Sequence, residues 1–182
     1  MTDNGSEPVD PAAIDLGQAR AVVEETTPLV NALTNEVTVN DVANVTLYWG
    51  GLPVMSDDDR EVADMVAGAQ GLLLNMGTVS EEGEATMMTA GRAAAEHSVP
   101  VVVDPVGAGA TLTRSRVADR LVTDLPPTIV SGNYGEIAEL VGDDADVRGV
   151  ESVSEHADIA ETAVACARET GSVVVASGET DV

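Results

Sequence analysis

The chain has 182 residues, enough for one domain with a sizeable core, and sets 8 Arg and no Lys against 32 acidic residues, a formal charge of −24. That balance argues against a nucleic-acid or anionic-membrane partner, because no basic patch offsets the repulsion between like charges. Hydrophobic residues make up 44% of the chain and fall in ordered runs, so it reads as a folded protein with an acidic, Lys-free surface, suited to a salt-rich cytoplasm where screening removes most self-repulsion.

In chain order, residues 1–11 are polar and acidic with no apolar core, unlike a secretory signal, and are expected to form a flexible tail ahead of one α/β domain over 12–182. Residues 12–26 and 37–49 read as helices, with Asn35 placed to cap the second. A third helix is expected over 57–69, with Val62, Met65, Val66 and Ala69 at helical spacing, Ser56 as its cap and three aspartates in its first turn. The run 71–75 (GLLLN) reads as a buried strand. A helix over 80–97 follows, with Thr78 and Glu81 at capping-box spacing. Residues 101–104 (VVVD) form the next strand, 114–125 a helix, 128–131 (TIVS) a strand and 134–141 a helix. The acidic stretch 142–149 reads as an exposed loop. A helix over 154–170 stacks Ile159, Ala163, Cys166 and Ala167 and stops at Gly171, and 172–177 (SVVVAS) is the last strand.

The four apolar runs do not alternate and each ends in a polar residue, the pattern of parallel strands covered on both faces. Strands alternating with helices imply right-handed crossovers and a three-layer α/β fold, helices flanking a parallel sheet. No apolar stretch approaches the ~20 residues of a membrane span. A single cysteine allows no intrachain disulfide and argues against structural zinc.

Ligands of such sheets sit at the carboxyl ends of the strands, so chemistry is sought there. Asp104 ends a strand of valines, and Gly107 and Gly109 let the following backbone approach a ligand closely. A ligand carboxylate and an incidental residue in a tight turn both fit that pattern. Asn133 and Glu136 have the spacing of a helix cap and its partner. Should their strands be neighbours, Glu136 also falls near Asp104, and two carboxylates at one edge suit a hydrated Mg²⁺ and, through it, nucleotide phosphates. Met55, Met87, Met88 and Cys166 read as core, and His97 and His156 as surface residues.

Taken together, LTNEVTVNDVAN (33–44), GGLPVM (50–55), EVADM (61–65), LLLNMGT (72–78), VPVVVDPVGAGAT (99–111), GNYGEIAEL (132–140) and ASGETDV (176–182) resemble the hydroxyethylthiazole kinase family, of the ribokinase-like superfold, in order and spacing over residues 28–182. The resemblance implies transfer of the γ-phosphate of ATP to the hydroxyethyl group of a methylthiazole alcohol in thiamine salvage, by a cytoplasmic homotrimer that binds the thiazole between subunits. It implies that Asn35, Val37 and Met55 of one subunit meet Gly77 and Thr78 of another around the thiazole. It further implies that Asp104 and Glu136 serve Mg²⁺, and that Ser131, Asn133 and Ser177 lie by the ATP. Ser131 stands where the family usually has an arginine, Asn31 where a histidine is common, and Ser177 in place of a threonine. The family continues past the position of Val182, so the fold is expected to be incomplete at the C-terminus. The Gly-rich anion-hole loop and the catalytic residue are then expected beyond this chain, which alone would lack turnover. A non-catalytic thiazole- or nucleotide-binding protein and another ribokinase-like small-alcohol kinase are the competing readings.

Overall fold

The computed structural model describes residues 15–142 and 155–182, with side chains of the second segment from Ile159 onward. The expected tail 1–11 and most of the acidic loop 142–149 lie outside the described residues. The elements in order are α1 (Leu16–Thr26), β1 (Leu29–Leu33), α2 (Val39–Tyr48), β2 (Leu52–Val54), α3 (Val62–Ala67), β3 (Gly71–Asn75), α4 (Glu81–His97), β4 (Val101–Asp104), α5 (Leu112–Thr123), β5 (Ile129–Asn133), α6 (Tyr134–Leu140), α7 (Glu155–Thr170) and β6 (Val173–Ser177).

The strands form one six-stranded sheet in the order β2-β1-β3-β4-β5-β6, every pair parallel. The step from β1 to β2 runs one way across the sheet and every later step runs the other. Right-handed crossovers therefore put α2 on one face and α3 to α7 on the opposite face. The main core lies under α3 to α7. Leu72, Leu74, Val101, Val103 and Val130 point into it and meet Val66, Met88, Val117, Leu121 and Ile137. Cys166, Ile159 and Ala163 of α7 close it at the β6 edge, and Met87 and Met88 are core residues of α4.

Two strands went unread in the sequence. In β1 a polar residue, Asn31, interrupts the apolar run, yet it is fully buried because its amide exchanges two hydrogen bonds with the backbone of Ser56, just past β2. Strand β2 is three residues long and contains Pro53, which a sheet accommodates at its edge.

Three caps also differ from expectation. Helix α3 begins at Val62 rather than at 57. The Asp58 carboxylate takes the Arg60 amide N–H and its guanidinium, holding the aspartates in a turn, and the Ser56 hydroxyl donates to Glu61 Oε1 at 2.6 Å instead of capping. Helix α4 is capped by Ser80, whose Oγ accepts from Gly83 N at 3.0 Å, so Thr78 forms no capping box. Helix α5 starts two residues early because the Thr111 hydroxyl accepts from Arg114 N.

Candidate functional site

The sheet order creates a topological switch point between β1 and β3, whose following helices lie on opposite faces of the sheet. At such a point the two loops diverge and leave a crevice at the carboxyl edge. A cleft of about 780 Å³ opens there, between Thr34, Asn35 and Val37 after β1 and Thr78, Ser80 and Met87 after β3. Val37, 85% exposed, lines this space. Met55, half-buried beyond β2, does not line it.

From Asn35, at the wall of the crevice, a chain of amides leads away toward β4. Asn35 Oδ1 accepts from the backbone N–H of Val37 (3.0 Å) and Thr38 (3.1 Å), so it caps the turn before α2 rather than the helix itself; Thr38 holds the cap position, but its hydroxyl pairs with that of Thr34 at 3.0 Å instead of capping. Asn35 Nδ2 donates to Asn75 Oδ1 at 3.2 Å. Asn75 Oδ1 also takes the Gly77 N–H at 3.0 Å, and Asn75 Nδ2 donates to Asp104 Oδ2 at 2.7 Å. Register puts Asn75 and Asp104 side by side on neighbouring strands. At Gly77 a methyl group would overlap Asn35 Nδ2 and lie 2.9 Å from Asn35 Cγ and 3.0 Å from Asn75 Oδ1, so only glycine fits.

Strands β4 and β5 are neighbours, which brings Glu136 to Asp104. Partial burial pushes the Asp104 carboxyl above the usual carboxylate range. The Glu136 charge pushes it the same way, and the Asn75 hydrogen bond pulls against both. Glu136 completes a capping box with Asn133: Asn133 Oδ1 accepts from Glu136 N at 3.0 Å and Glu136 Oε2 from Asn133 N at 2.8 Å. Its other oxygen accepts from Gly107 N at 2.7 Å, tying α6 to the loop after β4. Cap and cluster readings of Glu136 thus hold together. The left-handed φ of Gly107 (75°) and Gly109 (85°) explains glycine at both places in that loop.

Of the residues the resemblance assigns to ATP, Asn133 and Ser177 pair in register at the ends of β5 and β6, and Ser177 Oγ donates to Gly132 O at 3.3 Å. Ser131 lies inside β5 opposite Val175, two residues short of the strand end.

Sequence reading missed three residues of this edge. Asn75 was visible only as the polar end of a strand. Arg114 donates to Gly77 O (2.8 Å), Met76 O (3.3 Å) and Val106 O (2.7 Å), fastening the loop after β3 to the loop after β4, a reach that spacing does not reveal. The Tyr134 hydroxyl donates to Thr180 O and accepts from Thr180 N, while its ring covers Gly178, where a methyl group would overlap it.

An all-parallel α/β sheet with a switch-point crevice, and neighbouring carboxylates at the same strand-end edge, defines a doubly wound α/β protein. Residues 21–182 match the hydroxyethylthiazole kinase family, and the chain belongs to that family. It is 67% identical over 171 residues to the hydroxyethylthiazole kinase of Natronomonas pharaonis, covering 94% of this chain and 62% of that protein. It is 66% identical over 160 residues to that of Haloquadratum walsbyi, covering 88% and 56%. The solved structure of the hydroxyethylthiazole kinase protein from Pyrococcus horikoshii OT3 superposes with a TM-score of 0.81 at 32% identity, over 90% of this chain and 61% of that one. A last common ancestor of HMPPK and PLK/HMPPK vitamin kinases shares the fold at a TM-score of 0.55 and 16% identity, over 85% of this chain and 82% of that one. The chain therefore spans less than two thirds of the hydroxyethylthiazole kinases it matches. Among the described residues, no helix is long and apolar enough to cross a membrane.

Proposed function

We propose that this chain provides the alcohol-binding and metal-binding edge for ATP-dependent phosphorylation of the hydroxyethyl group of a methylthiazole, a step of thiamine salvage. The observation that carries the reading is the unbroken hydrogen-bonded line from the cleft at Asn35 to the carboxylate of Asp104. In this reading the thiazole enters the switch-point cleft and meets Val37, Gly77, Thr78 and the Asn35 amide. Met55, at the far edge of the sheet, serves the equivalent cleft of a second copy in a homotrimer. Family membership supports ATP as phosphate donor, and the acidic Lys-free surface supports a salt-rich cytoplasm.

The residues present fit Mg²⁺. Asn75 engages only one oxygen of Asp104, leaving the other for a hard cation, and each Glu136 oxygen that accepts a backbone N–H keeps a second lone pair. Asp104 and Glu136 would hold the ion with water completing its shell, and when bound it would neutralise charge on the ATP phosphates. Asn133 and Ser177 lie on the neighbouring strand ends, where phosphate oxygens would meet a side-chain amide and a hydroxyl. Ser131 lies beside them in β5, in place of a positive contact to ATP. What the chain itself contributes is position: the cleft orients the alcohol, and the bonds among Asn35, Asn75 and Asp104 fix the distance from alcohol to metal edge.

The test is an ATP-dependent phosphorylation assay on the purified chain with the thiazole alcohol, run beside a calorimetric titration of that alcohol. Binding of the alcohol supports the reading that this chain supplies the alcohol-binding edge, turnover extends that reading to the complete reaction, and absence of both removes the proposal.

A further inference from the structure

We infer that Asn75 is a positioning residue that couples the substrate cleft to the metal edge, by holding the Asn35 amide and the Asp104 carboxylate in one directed chain of hydrogen bonds. The inference rests on the roles of Asn35 and Asp104 proposed above.

The direction of the chain follows from which groups accept and which donate. Asn75 turns its NH₂ toward the Asp104 carboxylate and donates to its Oδ2 at 2.7 Å. Asn75 Oδ1 then faces two donors, Gly77 N at 3.0 Å and Asn35 Nδ2 at 3.2 Å. Asn35 is fixed independently, because its Oδ1 already takes the amide N–H groups of Val37 and Thr38 and only its NH₂ is left for Asn75. Every bond therefore runs the same way, from the α2 turn through Asn35 and Asn75 to Asp104. Aligned amide dipoles ending on an anion polarise one another, so removal of the middle member weakens both ends.

No other ordinary side chain fills this place. The residue must donate on the β4 side and accept on the β1 side from the end of β3, within one short, rigid amide. Aspartate keeps the acceptor and loses the donor, alanine loses both, and glutamine is a carbon too long for the register that sets Asn75 beside Asp104. Gly77 leaves no slack, since a methyl group there would overlap Asn35 and crowd Asn75. Arg114 holds the backbone of the loops after β3 and β4 through their carbonyls, so that tie remains when the side-chain bonds of Asn75 are changed.

The experiment measures two affinities on the intact chain: the thiazole alcohol by calorimetry and Mn²⁺, standing in for Mg²⁺, by electron paramagnetic resonance. Asn75→Ala is expected to weaken both by about tenfold, since each end loses one hydrogen bond and one of them is to a charged group. Asn75→Asp separates the two bonds. It keeps the acceptor for Asn35 and Gly77, so the alcohol affinity stays within about threefold, while loss of the donor and the added charge beside Asp104 shift Mn²⁺ affinity by about tenfold. Circular dichroism checks folding, and Asn75→Asp carries the test alone should Asn75→Ala unfold. A purely structural role moves neither affinity in a folded variant, and that result overturns the inference, as does an Asn75→Asp variant with unchanged Mn²⁺ binding. A wild-type chain that binds neither ligand overturns the proposed function, and with it this inference, before any variant is made.

Discussion

Replacing Asp104 with asparagine should stabilise the chain while weakening metal binding at the proposed site. Asp104 is half-buried and faces Glu136, and both facts disfavour its charged form. Asparagine keeps an oxygen to accept the 2.7 Å bond from Asn75 and removes the charge. Solvent reaching the exposed part of the carboxylate screens the repulsion, so the gain is about 0.5–1 kcal/mol at neutral pH, within the usual range for relieving a functional site. In a chain of this length that raises the melting temperature by about 2 °C. The pH dependence gives the sign. The folded carboxyl titrates above its unfolded value, so its favourable contribution is present at low pH and lost as pH rises through the folded value. The advantage of Asp104→Asn is therefore full near neutrality and shrinks toward about pH 4, as the wild-type group takes up its proton. Urea unfolding of both proteins at the two pH values, with Mn²⁺ binding measured on the same samples, checks this. An Asp104→Asn chain less stable than wild type at neutral pH, or equally favoured at both, would refute the account of this carboxylate.

Gly77→Ala should cost about 1–3 kcal/mol, because its methyl group overlaps the Asn35 amide, and should abolish measurable thiazole-alcohol binding by calorimetry. Burial, together with the nearby Glu169 charge, pushes the Cys166 thiol up to about 11. A disulfide reagent at about pH 8 should therefore modify it only at the rate at which the core opens, and rapid stoichiometric labelling of native chain would contradict this. With a net charge of −24, thermal stability should rise as salt is raised from about 0.1 M toward molar concentrations and self-repulsion is screened; a flat melting temperature across that series would refute salt adaptation.

The sequence made the centre of the sheet legible and its edge obscure. The runs at β3 and β4 were read to the residue because uninterrupted Leu and Val between polar ends have few other structural uses. Strand β1 was missed because burial of Asn31 depends on a partner 25 residues away, and β2 because a three-residue strand with a proline carries no periodic signal. The aspartates at 57–59 mimic a helical first turn, but Asp58 satisfies Arg60 locally and the helix waits until Val62. At the site, strand-end logic found Asp104, Asn133 and Ser177. It named Asn75 as a strand end without a role, since which polar residue faces which is set by register between strands. Arg114 was invisible for a related reason: its acceptors are backbone carbonyls, which every residue has.

The most direct test of the central claim is a calorimetric comparison of two alcohols, the hydroxyethyl methylthiazole and a pyrimidine alcohol of similar size, titrated into the purified chain with Mg²⁺ present. The cleft between Asn35, Val37 and Thr78 should take the thiazole alcohol with saturable heat and leave the pyrimidine unbound. Equal binding of both, or binding of the pyrimidine alone, would contradict the account.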